Sequence, residues 1–164
     1  MASEQLAAFA GAVGVGGLPS LEELILPCGG SYENPNPEGV VALANACSSG
    51  HLSQLRCLKL QSRSDMTGKA FAGLCRSLAK GKVSLLQTLD LEKYYGDAEE
   101  GVVALAEGIQ GQRLSSLESF RLDLSSERGF AVSGLGLAFG CGGCPGLQKL
   151  DLDWSEEGDE GMRG

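Results

Sequence analysis

Apolar residues along this chain fall into columns. The pattern Leu-x-x-Leu-x-Leu, with one Phe substitution, occurs five times: Leu21/Leu24/Leu26, Leu55/Leu58/Leu60, Leu86/Leu89/Leu91, Leu117/Phe120/Leu122 and Leu147/Leu150/Leu152. Successive starts lie 34, 31, 31 and 30 residues apart. A second recurrence has the same beat, because Glu-Gly-Val-Val-Ala-Leu-Ala stands at Glu38 to Ala44 and again, 62 residues on, at Glu100 to Ala106. Self-similarity at such a period predicts stacked units, each unable to bury its apolar face alone.

Counting back from the first leucine of each copy fixes the register. Fifteen residues before it stand Leu6, Val40, Phe71, Val102 and Val132, and twelve before stand Phe9, Leu43, Leu74, Leu105 and Leu135. Eight before are Val13, Cys47, Leu78, Ile109 and Phe139. These offsets follow i, i+3, i+7, one face of an α-helix. Leu18, Leu52, Val83, Leu114 and Cys144 form a further apolar column in the turn into the strand, where the Leu-x-Leu step has the period of two of a half-buried strand. Each unit is therefore predicted to be one strand and one helix.

The distance from helix to next strand is constant, so the variation in repeat length belongs to the strand-to-helix connections. The longest, Cys28 to Asn36, contains Pro35, and Asn36-Pro37 reads as an N-cap with proline at the first helical position. Asp97 with Glu100 reads as a capping box, and Asp65 or Thr67 is a candidate cap for the helix before it. Ser20-Leu-Glu-Glu23 also fits the capping pattern, but the period demands a strand there.

Strands separated by helical crossovers lie parallel, and right-handed crossovers stacked in one direction curve the sheet inward with the helices outside. The Leu-x-x-Leu-x-Leu strands at this period resemble a leucine-rich repeat domain. An α-helix in every unit is similar to the ribonuclease-inhibitor-like subfamily, which extends to intracellular immune receptors and Ran GTPase-activating proteins. The resemblance runs from about Leu6 to Met162. It implies an α/β horseshoe solenoid with strands on the concave face and helices on the convex face, one domain over residues 1–164 with about five repeats. The family's usual Asn or Cys, three residues after the last strand leucine, is replaced by Gly29, Arg63, Tyr94, Ser125 and Ser155. That departure predicts loops less firmly tied than in typical members.

Charge narrows the partner. A formal net charge of −8 and a pI near 4.6 argue against nonspecific binding to nucleic acid or to an anionic membrane. No apolar run has the length of a membrane span. The apolar stretch from Leu6 to Leu18 follows Glu4 rather than a basic residue, and its apolar positions fall in the helix columns, so it reads as the helix of a first, incomplete repeat. The chain is expected to be a fragment of a longer solenoid, because neither end shows a polar cap.

Six cysteines invite a metal or disulfide reading until the columns are consulted. Cys47 replaces Leu78 and Ile109, Cys144 replaces Leu18 and Leu114, and Cys75 shares its helix position with Ala44 and Ala106. Core thiols suit a reducing compartment, so cytoplasm is the expected location. Cys141-Gly-Gly-Cys144 has a redox or zinc-knuckle spacing, but with the lone His51 it supplies too few ligands, and no metal or cofactor is expected. Gly14-Val-Gly16 precedes no phosphate-binding pattern, and Gly68-Lys69 lacks the flanking residues of a P-loop. With no nucleophile and base at recognisable spacing, no enzyme activity is expected.

The non-leucine strand positions then carry the functional expectation. They form rows across the sheet: Glu23, Cys57, Thr88, Ser119, Lys149; then Ile25, Lys59, Asp90, Arg121, Asp151; then Pro27, Gln61, Glu92, Asp123, Asp153; then Cys28, Ser62, Lys93, Leu124, Trp154. Charges alternate along the second row, and Glu92, Asp123 and Asp153 align three carboxylates in the third. The expected site for a protein partner with a cationic surface is Lys59, Asp90, Glu92, Arg121, Asp123, Asp151, Asp153 and Trp154, with Tyr94 and Tyr95 as further aromatic contacts. Two alternatives stand beside it. One is a GTPase-activating regulator, for which Arg63 and Arg128 are the loop arginines. The other is a purely structural segment of a solenoid.

Overall fold

The computed structural model describes residues 8–9, 11–13, 15–28, 38–62, 68–94, 99–124 and 129–154. Strands β1 (Glu23–Cys28), β2 (Cys57–Ser62), β3 (Thr88–Tyr94), β4 (Ser119–Leu124) and β5 (Lys149–Trp154) alternate with helices α1 (Glu38–Ser49), α2 (Gly68–Leu78), α3 (Glu99–Gln110) and α4 (Gly129–Gly140). All strand pairs are parallel, in the sheet order β1-β2-β3-β4-β5. Glu23 opens β1, so the period prevails over the capping lookalike. The expected capping residues Asn36, Pro37, Asp65, Thr67 and Asp97 lie outside the described residues, as do most of the strand-to-helix connections.

One face of the sheet and one stripe of each helix make the core. Leu58, Leu60, Leu89, Leu91, Phe120 and Leu122 from the strands meet Val40, Leu43, Phe71, Leu74, Val102, Leu105 and Leu135 from the helices, all at most 1% exposed. Each such side chain contributes about 1.5–3 kcal/mol by leaving water. Phe120 and Phe139 stack edge to face with centroids 5.6 Å apart. Two column members depart from expectation. Leu18 is 41% exposed and Leu150 47% exposed, both in the outermost described units, although Val13, Leu24 and Leu26 beside Leu18 are buried.

Close helix spacing rests on small residues at two offsets. Sixteen residues before the motif leucine come Gly39, Ala70, Gly101 and Ala131; nine before come Ala46, Ser77, Gly108 and Ala138. A Cβ on Gly101 would lie 2.5 Å from the Phe71 ring, and one on Gly108 would lie 2.6 Å from the Ala79 Cβ. These glycines let α3 approach α2. Between α1 and α2 the same seam is polar: the Ser48 and Ser77 hydroxyls are 3.0 Å apart, and Ser77 Oγ also donates to the Gly73 carbonyl.

The helix ends repeat just as regularly. Five residues before each motif leucine the backbone turns left-handed, at Gly16, Gly50, Gly81, Gln112 and Gly142. In α3 the Gln112 amide donates to the Ile109 carbonyl and the Arg113 amide to the Gly108 carbonyl, the paired bonds of a Schellman cap. Gly142 and Gly143 make the equivalent bonds to Phe139 and Ala138. Gln112 is the one non-glycine among the described residues with positive φ.

Candidate partner-binding face

Because strand side chains alternate, burying the leucines on the helices turns the intervening residues to the opposite, open face of the sheet. Registration is set before the strands begin. The Glu22 carbonyl accepts from the Arg56 and Cys57 amides, Arg56 from Gln87 and Thr88, Gln87 from Glu118 and Ser119, and Glu118 from Gln148 and Lys149, all at 2.7–3.0 Å. This repeated two-donor clamp locks successive strands at one phase.

The first two rows run straight across all five strands. Glu23, Cys57, Thr88, Ser119 and Lys149 are successive register partners, as are Ile25, Lys59, Asp90, Arg121 and Asp151. Lys59, Asp90, Arg121 and Asp151 therefore lie in one line of alternating charge. Arg121 Nε is 3.6 Å from Asp151 Oδ2, with both side chains well exposed, a pair contributing about 1 kcal/mol or less. Ile25 opens the line as a half-exposed apolar residue. In the row beside it the Cys57 thiol is held above its usual range by partial burial and then by the neighbouring Glu23 and Asp90, against the opposing pull of Lys59. It is a poor nucleophile at neutral pH.

Beyond these rows the expected alignment fails. Gln61 pairs with Glu92, and Asp123 with Asp153, but between Leu91 and Tyr94 the register of β3 on β4 shifts. Leu91 pairs with Leu122 and Tyr94 with Leu124, so β3 carries one more residue than β4 over the same span. Glu92 and Asp123 are therefore not register partners, and Tyr94 rather than Lys93 stands opposite Leu124. The line of three carboxylates expected across β3, β4 and β5 is cut after Glu92. Trp154 pairs with Leu124. The side chains of Glu92, Asp123, Asp153 and Trp154 lie outside the described residues, as do Arg63, Tyr95 and Arg128.

The helical side of the molecule is grooved rather than flat. A groove of about 240 Å³ between α1 and α2 is lined by Val41, Asn45, Ser48, Lys69, Arg76 and Lys80. Another of about 400 Å³ between α3 and α4 is lined mainly by Val103, Ala106, Gln110, Leu137 and Cys141. Arg76 forms an ion pair with Glu100 across α2 and α3. Small residues line both grooves, Ala44, Ala70, Gly73 and Ser77 in the first and Ala106, Ser133 and Gly134 in the second, and the hydrophobic pattern did not single them out.

Cys47, Cys57, Cys75, Cys141 and Cys144 are free thiols. Burial pushes Cys47 up to about 12 and Cys144 up to about 11, and raises Cys75 further. Cys144 Sγ sits 3.2 Å from the Leu114 carbonyl in the turn column, while Cys141 is exposed on the helical side. The two ends of the Cys-x-x-Cys spacing thus have opposite environments. Among the described residues, no three His, Cys, Asp or Glu side chains gather to hold a metal, and no helix is long and apolar enough to cross a membrane. No protein-family model matches the chain, and no curated protein matches it.

Proposed function

We propose that this chain is a leucine-rich repeat interaction module of the ribonuclease-inhibitor-like kind, a horseshoe solenoid that binds a protein partner through the concave, open face of its sheet. The observation that carries this reading is the line Lys59, Asp90, Arg121, Asp151, held in register opposite the buried leucines. Strand pairing fixes the backbone beneath these side chains, so a partner meets charges at set spacings and loses little entropy in ordering them. In the sequence, acidic residues predominate at the non-leucine strand positions, with Glu23, Asp90, Glu92, Asp123, Asp151 and Asp153 against Lys59, Arg121 and Lys149. A partner presenting lysines or arginines fits best, with Trp154 and Tyr94 as apolar anchors beside the charges. Free core thiols favour a reducing compartment, the cytoplasm.

The test uses one partner recovered by affinity capture and then purified. An open-face variant, Asp90→Asn with Asp123→Asn and Asp151→Asn, is compared with a helical-side variant, Val103→Ser with Leu137→Ser. The open-face variant should bind at least tenfold more weakly, with a flatter salt dependence of its on-rate, and the helical-side variant should bind as the parent does. The opposite ranking refutes the reading.

A further inference from the structure

Positive charge on the helical side is concentrated on one helix. Among the described helices, α1, α3 and α4 contain no Lys or Arg, whereas α2 carries Lys69 and Arg76, and the turn after it carries Lys80 and Lys82. From Gly68 to Gln87 there is no Asp or Glu, in a chain of formal net charge −8. The repeat makes this a property of α2 rather than of the fold. Ten residues before the motif leucine stand Asn45, Arg76, Glu107 and Leu137, and six before stand Ser49, Lys80, Gly111 and Cys141. Two positions that hold no cation in the other described units are both cationic here.

Both open onto the groove between α1 and α2. Its lining includes Lys69, Arg76 and Lys80 and, among the described residues, no carboxylate, with Val41 and Asn45 exposed on the opposite wall. Lys69 and Lys80 form no ion pair with a described residue. Arg76 is paired with Glu100 of α3, but both side chains are more than half exposed, so the contact is weak and leaves guanidinium donors to a competitor. Arg113 adds a further cation next to Lys80, its Nη1 donating to the Ala79 carbonyl at 3.2 Å. We propose that this groove binds an acidic peptide segment of a protein partner, laid along α2 with its carboxylates on Arg76 and Lys80 and an apolar side chain against Val41.

Size and charge select that occupant. At about 240 Å³ the groove is smaller than the roughly 300–1,000 Å³ of pockets that enclose a small molecule, and a strip of peptide lying along it fits better. Arg76 and Lys80 are one helical turn apart, ~6 Å along α2, and carboxylates at alternate positions of an extended peptide project from one side about 6.6 Å apart. A nucleic acid or an anionic membrane would bring its charge against the whole acidic molecule, whereas a few peptide residues meet the groove alone. The groove and the open face of the sheet lie on opposite sides, so its occupancy is independent of what that face binds.

Fluorescence anisotropy of the full chain with a labelled Glu-Val-Glu-Val-Glu peptide tests this. The parent should bind it at least tenfold more tightly than the Gln-Val-Gln-Val-Gln counterpart or labelled single-stranded oligothymidine, and raising NaCl from about 50 to about 500 mM should weaken it severalfold. Arg76→Gln with Lys80→Gln, both at exposed positions, should weaken binding at least tenfold with the circular dichroism unchanged. Arg56→Gln with Lys149→Gln changes the net charge equally at residues that do not line the groove, and should leave binding as in the parent. Arg76→Glu with Lys80→Glu should transfer the preference to Lys-Val-Lys-Val-Lys. Absence of binding to the acidic peptide overturns the proposal. So does equal binding of the glutamine peptide, an equal loss in the two charge-matched variants, or tighter binding of oligothymidine, which would make the groove a site for polyanions instead.

Discussion

Leu89 in β3 and Leu150 in β5 occupy the same position of the same motif, yet Leu89 is fully buried and Leu150 half exposed. The difference lies in the neighbours. Leu89 has strands on both sides, whereas among the described residues Leu150 has a strand on one side only. An identical local pattern therefore confers very different stability depending on what stacks against it, as expected where units bury surface chiefly against adjacent units. The outermost unit is nonetheless firmly held on its inner side. A Cβ placed on Gly143 would lie 2.2 Å from the Ile109 carbonyl oxygen, so the turn after α4 rests directly on the backbone of α3.

The contrast is broken most directly by truncation. Phe120→Ala removes a fully buried ring and should cost about 3–5 kcal/mol in urea unfolding, whereas Leu150→Ala should cost only about 1 kcal/mol. Equal losses would show that the outer unit is covered after all. The inner lock of that unit is probed by Gly143→Ala, which should destabilise by about 1–3 kcal/mol because a backbone carbonyl cannot move aside as a side chain would. Gly73→Ala serves as its control, since a Cβ there meets nothing within 4 Å and the helix gains about 0.5–1 kcal/mol.

Alkaline titration extends the comparison to the thiols. Unfolded cysteines ionise near their ordinary value, while burial holds Cys47 near 12 and Cys144 near 11. Their protonated forms are favoured in the folded chain, so stability is unaffected below about pH 9 and falls as pH rises above it. The slope is about 1.4 kcal/mol per pH unit for each thiol and ends near pH 11 for Cys144 but near pH 12 for Cys47. Cys47→Ala should reduce the slope by about 1.4 kcal/mol per pH unit up to the higher limit, leaving the contributions of Cys144 and Cys75 in place. In labelling experiments Cys141 should react first, then Cys57, with Cys47 and Cys75 released only by denaturation. Rapid labelling of Cys47 in the folded chain would contradict the helix register.

The smallest expected effect concerns the helix caps. Gln112 holds the left-handed conformation that glycine supplies in every other described unit, at a strain of about 1 kcal/mol. Gln112→Gly should stabilise the chain by slightly less than that, because glycine gains entropy when unfolded. Gly142→Gln, the reverse exchange at the outer unit, should destabilise by a similar amount in thermal unfolding.

Much of this architecture was legible because the leucines leave no freedom of phase. A slip of one residue would turn Leu58, Leu89 and Phe120 to solvent together, so the strands, their order of burial and the first two rows of the open face follow from counting. The exposure of Leu150 was not legible, because its sequence context matches that of Leu89 and only its surroundings differ. The left-handed column went unread as a column because Gln112 interrupts its glycines. The register shift after Leu91 was invisible for another reason. It falls past the last leucine of the motif, so Glu92, Lys93 and Tyr94 read as continuing a lattice that in fact slips by one, although Tyr94, Leu124 and Trp154 share one row after the slip.

That slip gives the open face the equivalent of a dislocation. Over the first two rows a ligand moving from β1 to β5 meets an uninterrupted grid, but past Leu91 the grid on β1 to β3 and the grid on β4 and β5 are out of step. A stiff, regularly spaced partner, such as one helix or strand laid across all five strands, can match one side of the fault or the other. If a protein partner binds this face as proposed, one engaging both sides must carry a compensating offset of its own, and the fault would then act as a key that rejects periodic surfaces and admits one shaped to the step.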